Sequence, residues 1–501
     1  MPSPEGGDPA AARRVAVELE LELPLGGAPP YPGAAPFDLE AAVCSHGLFM
    51  MAPNRWDPAS RALVRPLRLA SDRAASVAVR VSRHPARPSD ALLVSVLGAP
   101  DDDALSPLDQ TSILEQVRRM LRLDEEDGRA VAEFQAMHAV AREVGFGRIF
   151  RSPTLFEDMI KCILLCNCQF SLPLPLPSLA STSMRNSDTN MSRYLGIAIF
   201  HLHSTVLFNC RWTRTLSMST ALCELQLELR SSSSTENFQS RTPPIRECKR
   251  KRSNKRNVRV KLETKFNEDK MVCLEDPNLA TNTANENLFS LPSSANETGN
   301  TSEVSLDHSE LKLRYELCLE DCGGDFPTPE ELANLDEDFL AKRCNLGYRA
   351  RRIVMLARSI VEGKICLQKL EEIRKMSVPT VEGLSTTPST YDRLNEELST
   401  ISGFGPFTRA NVLMCMGFFH MIPADTETIR HLKQFHKRAS TISSVQKELD
   451  NIYGKYAPFQ FLAYWCELWG FYNKQFGIIS DMEPINYRLF TASKLKKSNC
   501  Q

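Results

Sequence analysis

Between Ala16 and Leu97 the chain alternates apolar and polar residues in short stretches, VAVELELEL, RPLRLA, SVAVRVSR and LLVSVLG, separated by Pro, Gly and Asp. A period of two turns one face of a strand toward a core. The pattern predicts a small β-rich domain over residues 16–105, preceded by a disordered tail at 1–15. From Pro107 onward the period changes. Ile113, Val117, Met120 and Leu121 recur at spacings of three and four, so residues 107–144 are predicted helical. A further helix is expected from Thr154, whose hydroxyl can cap while Glu157 closes a capping box. Phe156, Met159, Ile160, Ile163 and Leu164 supply its apolar face.

The helical pattern of residues 106–169 breaks after Gln169. Residues 170–211 hold clustered prolines, one acid (Asp188), no lysine and an unpatterned apolar stretch. Helical periodicity resumes at Trp212 and runs through 212–230. Joining Gln169 to Trp212 restores a continuous helix-loop-helix, so the segment reads as an insertion, either a retained intron translated in frame or a long surface loop. Residues 231–305 are rich in Ser, Asn and Thr with few aromatics, a composition that does not fill a core and is expected to be disordered. Within it, Arg246 to Lys261 carries nine Lys or Arg in sixteen residues, including Lys249, Arg250, Lys251 and Arg252. Such a cluster suits nuclear import, and it also attracts phosphate backbones.

Residues 306–480 are predicted to form a compact helical lobe, followed by a tail at 481–501. Thr328-Pro329-Glu330-Glu331 places a cap, a proline at N1 and a glutamate at N3. Helical stretches follow at 346–363, 391–418, 425–435 and 459–472. The expected fold class is α+β: a small amino-terminal sheet domain plus a two-lobed all-α domain, with long disordered insertions.

Charge adds little globally, since 60 basic residues balance 61 acidic ones. The start of the chain is acidic and lacks an apolar leader core, and the 15 cysteines are odd in number and irregularly spaced. A reducing cytosolic or nuclear compartment with free thiols is therefore expected. No apolar run reaches the length of a membrane span. Cys162, Cys166 and Cys168 are spaced like metal ligands but sit on an apolar helix, where buried thiols are the commoner outcome.

The richest stretch is Leu398 to Arg430. Leu398 and Ile401 end a helix, Gly403-Phe404-Gly405 forms a tight turn, and a second helix is read from Ala410 onward. Two glycines spaced by one apolar residue permit positive φ and clear side chains from the turn. Backbone N–H groups near Gly405 and Thr408 then suit a phosphate. Twenty residues beyond Gly405, Ile422-Pro423-Ala424-Asp425 opens another helix.

This hairpin, hydrophobic loop and P-x-D sequence resembles the helix-hairpin-helix DNA glycosylase superfamily, over roughly residues 100–169, 212–230 and 305–475. LGYRARRI (346–353) looks like the segment preceding the hairpin in 8-oxoguanine and alkyladenine glycosylases. The resemblance implies that Asp425 is the catalytic carboxylate. It further implies that Gly403, Phe404, Gly405 and Thr408 hold a DNA phosphate, that Asn167 wedges into the duplex, and that Arg214 lies beside the orphaned base. Breaking an N-glycosidic bond builds positive charge on the sugar, which a fixed carboxylate favours. Asp425 is expected to remain ionised at a helix start, because the dipole favours an anion. An aspartate before Thr-Glu-Thr could equally be a plain N-cap.

Departures from the family pattern carry further expectations. Bifunctional relatives place a lysine two residues after the second hairpin glycine; here that position is Phe407, and no lysine lies between Lys375 and Lys433. Without an amine no imine can form, so a monofunctional, hydrolytic enzyme is expected. Only Cys466 and Cys500 follow Asp425, too few for an iron–sulfur cluster. Phe407 and Trp212 are taken as base-pocket walls, while Tyr464, Trp465 and Trp469 are read as core. Arg430 and Lys433 are candidates for the DNA backbone. No cofactor or metal is expected, although the family's hairpin can hold a monovalent cation through carbonyls near Ile401 and Phe404. The expected partners are lesion-bearing double-stranded DNA and a nuclear import receptor, with the protein monomeric, nuclear and not bound to membranes. The alternatives are a non-catalytic helix-hairpin-helix DNA-binding protein, or an inactive splice variant of a glycosylase.

Overall fold

The four alternating stretches become strands of a five-stranded antiparallel sheet: β1 (Leu19–Pro24), β2 (Arg55–Asp57), β3 (Ala62–Arg68), β4 (Ser76–Arg83) and β5 (Ala91–Leu97), in the spatial order β1-β5-β4-β3-β2. These come from a computed structural model, which describes residues 19–25, 35–97, 105–166, 211–233, 323–375 and 389–490. In β1 the leucines are buried and the glutamates exposed, and the register sets Leu21 opposite Val94 and Val79 opposite Val96. One face of the sheet is thus apolar, as a period of two requires. Two elements inside the β-rich stretch escaped the periodicity. Helix α1 (Leu39–Val43) forms because the Asp38 side chain accepts from Ala41 N–H at 2.8 Å, and β2 is only three residues long.

The predicted helical run 107–144 is three helices, α2 (Pro107–Leu121), α3 (Glu125–Met137) and α4 (Ala139–Glu143). Arg122 adopts φ +53° and closes the first of them. Next come α5 (Leu155–Leu165) and α6 (Arg211–Ser233), which pack together where Thr215 Oγ1 donates to the Leu164 carbonyl at 3.4 Å. Asn167, Cys168, most of the 170–211 segment and the basic cluster Lys249–Arg252 lie outside the described residues. The remaining helices are α7 (Pro329–Ala333), α8 (Glu337–Arg343), α9 (Arg349–Val361), α10 (Leu367–Lys375), α11 (Thr390–Ser399), α12 (Pro406–Cys415), α13 (Thr426–Phe435), α14 (Val445–Tyr453) and α15 (Gln460–Phe476). At α7 the capping box forms as expected, with Glu331 N–H donating to Thr328 Oγ1 at 3.2 Å and Thr328 N–H to Glu331 Oε2 at 2.7 Å.

At α5 only half of the expected box exists. Thr154 caps Glu157 N–H at 3.2 Å, but the Glu157 carboxylate turns inward to Arg65 of β3 (Nη2–Oε2 2.9 Å) and to Lys161 (2.7 Å). Burial pushes Glu157 up, yet the two cations outweigh it and bring its pKa down to about 2. A buried charge needs such partners, and Glu157 finds them across the sheet–helix interface rather than at its own helix end. The described residues share one compact unit and one apolar core, running from Leu23 and Val94 of the sheet through Ile160 to Phe461.

Candidate active site

Helices α11 and α12 are joined by the glycine turn. Gly403 has φ +89°, and a Cβ there would lie 2.8 Å from Arg352 Cδ, so both conformation and close packing demand glycine. Gly405 differs from expectation. Its φ is −70° and its surroundings are open, so it serves as an exposed N-cap without a capping side chain. Helix α12 starts at Pro406, four residues earlier than its apolar pattern suggested, because proline at N1 needs no hydrogen-bond partner. The Phe404 and Thr408 side chains are buried, with the Thr408 hydroxyl 3.0 Å from Cys166 Sγ. Thr408 can therefore offer an external ligand its backbone N–H and not its hydroxyl. Phe404 carbonyl accepts from Arg409 Nη1 at 3.3 Å, and the Ile401 carbonyl accepts from Phe404 N–H at 3.0 Å.

After α12 the chain turns at Gly417 (φ +96°) and runs without helix or strand to Asp425, the N-cap of α13. Asp425 Oδ1 accepts from Thr428 N–H at 2.9 Å and from its hydroxyl at 3.1 Å, while Asp425 N–H donates to Thr428 Oγ1 at 3.3 Å. The capping geometry does not consume the residue, for its carboxylate also lines a cavity of about 280 Å³. Burial raises the carboxyl above the ordinary aspartate value, helped by the charge of Glu427, and the bonds from Thr428 only partly offset this. Desolvation thus outweighs the helix start in the direction of the shift.

Phe407 and Trp212, remote in sequence from each other, line the same cavity as Asp425. So do Tyr464, Trp465 and Trp469, which periodicity alone had assigned to the core, together with Phe461 and Tyr472. Trp465 and Trp469 spend their indole N–H groups on the Ser45 and Cys44 carbonyls (2.9 and 2.8 Å), which fixes them and leaves their ring faces as walls. Trp212 Nε1 is buried without a hydrogen-bond partner. His46 was missed entirely. It lines the cavity, its ring centroid lies 4.4 Å from that of Trp465, and its Nδ1 accepts from Leu48 N–H at 3.3 Å. Burial, with the charge of Arg122, lowers its pKa to about 3, so the ring is neutral. Only a fold could bring so distant a histidine here. Among the described residues no lysine lines the cavity.

The charged candidates divide. Arg430 is held by Glu427 (Nε–Oε2 2.8 Å, Nη2–Oε1 2.6 Å) and lies over the Phe471 ring. Glu427 also accepts from Tyr472 OH at 2.6 Å. Lys433 is exposed on α13. Arg214 donates to the Asn345 carbonyl at 3.1 Å. Beside it, Tyr348 OH (2.9 Å) and Arg349 both donate to the carbonyl of Cys166, the last described residue before Asn167. Arg349 and Arg352 flank the Tyr348 ring at 4.7 and 4.9 Å. None of Arg214, Arg349 and Arg352 forms an ion pair among the described residues, so an arginine cluster, buried at Arg349 and half-buried at Arg214 and Arg352, lies between the end of α5 and the Gly403 turn. The LGYRARRI stretch was its sequence signal. Cys162 is a buried thiol pushed well up by desolvation, with Cys166 half-buried beside Thr408.

No family model and no curated protein matches the chain. Among solved structures it is similar to MBOgg1 in complex with a low-affinity DNA ligand, at 16% identity and TM-score 0.40, covering 87% of this chain and 94% of that one. It is also similar to the Clostridium acetobutylicum 8-oxoguanine glycosylase/lyase. The apo form of that protein matches at 11% identity and TM-score 0.37, over 87% and 93% of the two chains. Its complex with double-stranded DNA containing cytosine opposite 8-oxoG matches at 10% and 0.40, over 85% and 92%.

Proposed function

We propose that this protein is a monofunctional DNA glycosylase, which flips a damaged or modified base into the aromatic cavity and hydrolyses its N-glycosidic bond. One observation carries the reading: Asp425, Phe407 and Trp212, three residues singled out by their sequence context, line a single cavity. At about 280 Å³ it sits just below the range for drug-sized ligands, a size suited to one heteroaromatic ring system. Aromatic walls suit a base taken out of its stack.

In this reading Asp425 lies beneath the sugar. As the glycosidic bond lengthens, positive charge grows on the deoxyribose and the carboxylate stabilises it. A unit pair at about 4 Å and an effective dielectric near 20 contributes roughly 4 kcal/mol, about a thousandfold in rate. Phe407 stands where an imine-forming amine would be needed, so water completes the reaction and the product is an intact abasic strand. The Gly403–Gly405 turn and the free N-terminus of α12 hold a phosphate, Lys433 meets the backbone, and Arg214 lies beside the orphaned base next to an Asn167 wedge. The helices divide into two lobes with the DNA between them. Import through Lys249–Arg252 brings a monomeric enzyme to the nucleus, and alkylated purines are the first class of substrate to test.

A panel of duplexes bearing alkylated, oxidised or deaminated bases, scored for abasic sites with and without alkali, tests the reading. Alkali-dependent cleavage of at least one lesion is expected. Breaks without alkali overturn the monofunctional assignment, and duplex binding without any excision leaves a non-catalytic binder.

A further inference from the structure

At the C-terminal end of α13, four ligand-type side chains converge from three helices. His431 and the C-cap residue His436 belong to α13, Tyr453 ends α14 and Glu467 lies on α15. His431 Nε2 is 3.3 Å from Glu467 Oε1; His436 Nε2 is 3.0 Å from Oε1 and 3.2 Å from Oε2. The Tyr453 hydroxyl lies 2.9 Å from Glu467 Oε2, 3.1 Å from His436 Nε2 and 3.3 Å from His431 Nε2. Both imidazoles therefore direct the same nitrogen at one carboxylate and one phenol, and one ligand atom from each of His431, His436 and Glu467 lies within 4.8 Å of the others.

We propose that His431, His436 and Glu467 bind a divalent transition-metal ion of the zinc class, with the Tyr453 hydroxyl at the fourth corner. Zinc bonds of about 2.0–2.1 Å to nitrogen and oxygen imply ligand–ligand edges of roughly 3.3 Å in a tetrahedron, close to the 3.0–3.3 Å that separate the two Nε2 atoms from Glu467 Oε1 and from the Tyr453 hydroxyl. Two imidazoles and one carboxylate are a donor set that such ions take. Access also fits. His431 is fully buried and closes the inner side, whereas the side chains of His436 and Glu467 are 25% and 31% exposed and leave an entry path. The ion would staple the end of α13 to α14 and α15. Tyr464 stands edge-on to His431 at 5.4 Å and bonds Thr428 at 3.2 Å, so the staple braces the helix that Asp425 begins. When the ion takes the Nε2 lone pairs, each ring hydrogen sits on Nδ1. For His431 that atom is buried without a partner, and the missing outer bond weakens binding about 10–100-fold relative to a site with both outer bonds made.

The test uses the full-length, metal-stripped chain titrated with Zn²⁺ against a chromophoric chelator. One equivalent is expected to bind, and His436→Ala and Glu467→Gln, both at the exposed side, are each expected to weaken it at least tenfold. X-ray absorption of the one-equivalent sample provides a second readout that needs no variant. Nitrogen and oxygen neighbours at about 2.0–2.1 Å support the site, whereas sulfur at about 2.3 Å assigns the ion to cysteines and overturns it. Equal affinity in the variants, or no binding below about 100 μM, also overturns it, because a merely hydrogen-bonded cluster has no use for the ion.

Discussion

Replacing Asp127 by asparagine removes one negative charge from a buried cluster of arginines. The carboxylate lies 3.3 Å from Arg122, 3.5 Å from Arg151 and 3.2 Å from Arg374, and Asp127, Arg122 and Arg151 are at most 5% exposed. Burial opposes its ionisation, but the three guanidiniums more than compensate and hold its pKa at about 2. The depression from the ordinary 3.8 to about 2 corresponds to about 2 kcal/mol of stability at neutral pH. The variant should cost more, because it leaves buried cations uncompensated, and breaking a buried ion pair typically costs about 3–5 kcal/mol. Arg122 and Arg151 also grip the carbonyls of Met414 and Cys415 at the end of α12, so the loosened cluster unseats the hairpin helix. Urea unfolding followed by circular dichroism measures the loss. The sign with pH follows from the depressed value: the contribution is full above about pH 4 and lost as pH falls through about 2, so wild type and variant converge in acid. A loss below about 1 kcal/mol at neutral pH, or no convergence, refutes the reasoning.

Three further outcomes follow from the geometry. Gly403→Ala forces a side chain into a left-handed backbone and against Arg352, and should cost about 1–3 kcal/mol together with DNA affinity; unchanged stability by thermal melting contradicts this. Desolvation raises the Asp425 carboxyl, so the acid limb of the excision profile should lie above the ordinary aspartate value near 4 rather than below it. The same elevation means the folded state disfavours the ionised form, so Asp425 relieves rather than adds instability as pH falls, and Asp425→Asn should be no less stable than wild type at pH 7. Lys433→Ala should reduce the salt dependence of duplex binding by about one unit of slope, measured by anisotropy across a salt series.

What was legible in the sequence was whatever local chemistry decides. LELEL alternates because one face of β1 is buried, Thr328 and Glu331 cap α7 through neighbouring atoms, and Gly403 takes its positive φ within the turn itself. The misreadings arise where a distant partner takes over. At α5, Glu157 abandons its helix end for Arg65 of β3. Tyr464, Trp465 and Trp469 sit on one face of α15, a spacing that serves a core and a cavity wall equally well. His46 and the His431–His436–Tyr453–Glu467 cluster have no spacing signature, because separate elements assemble each of them.

The measurement that bears most directly on the chemistry is single-turnover excision by the wild type and Asp425→Asn, on the lesion duplex that the wild type cleaves. Stabilisation of a sugar cation by this carboxylate predicts a rate lower by about a thousandfold, with duplex affinity retained within a few-fold. A variant that excises at the wild-type rate contradicts it.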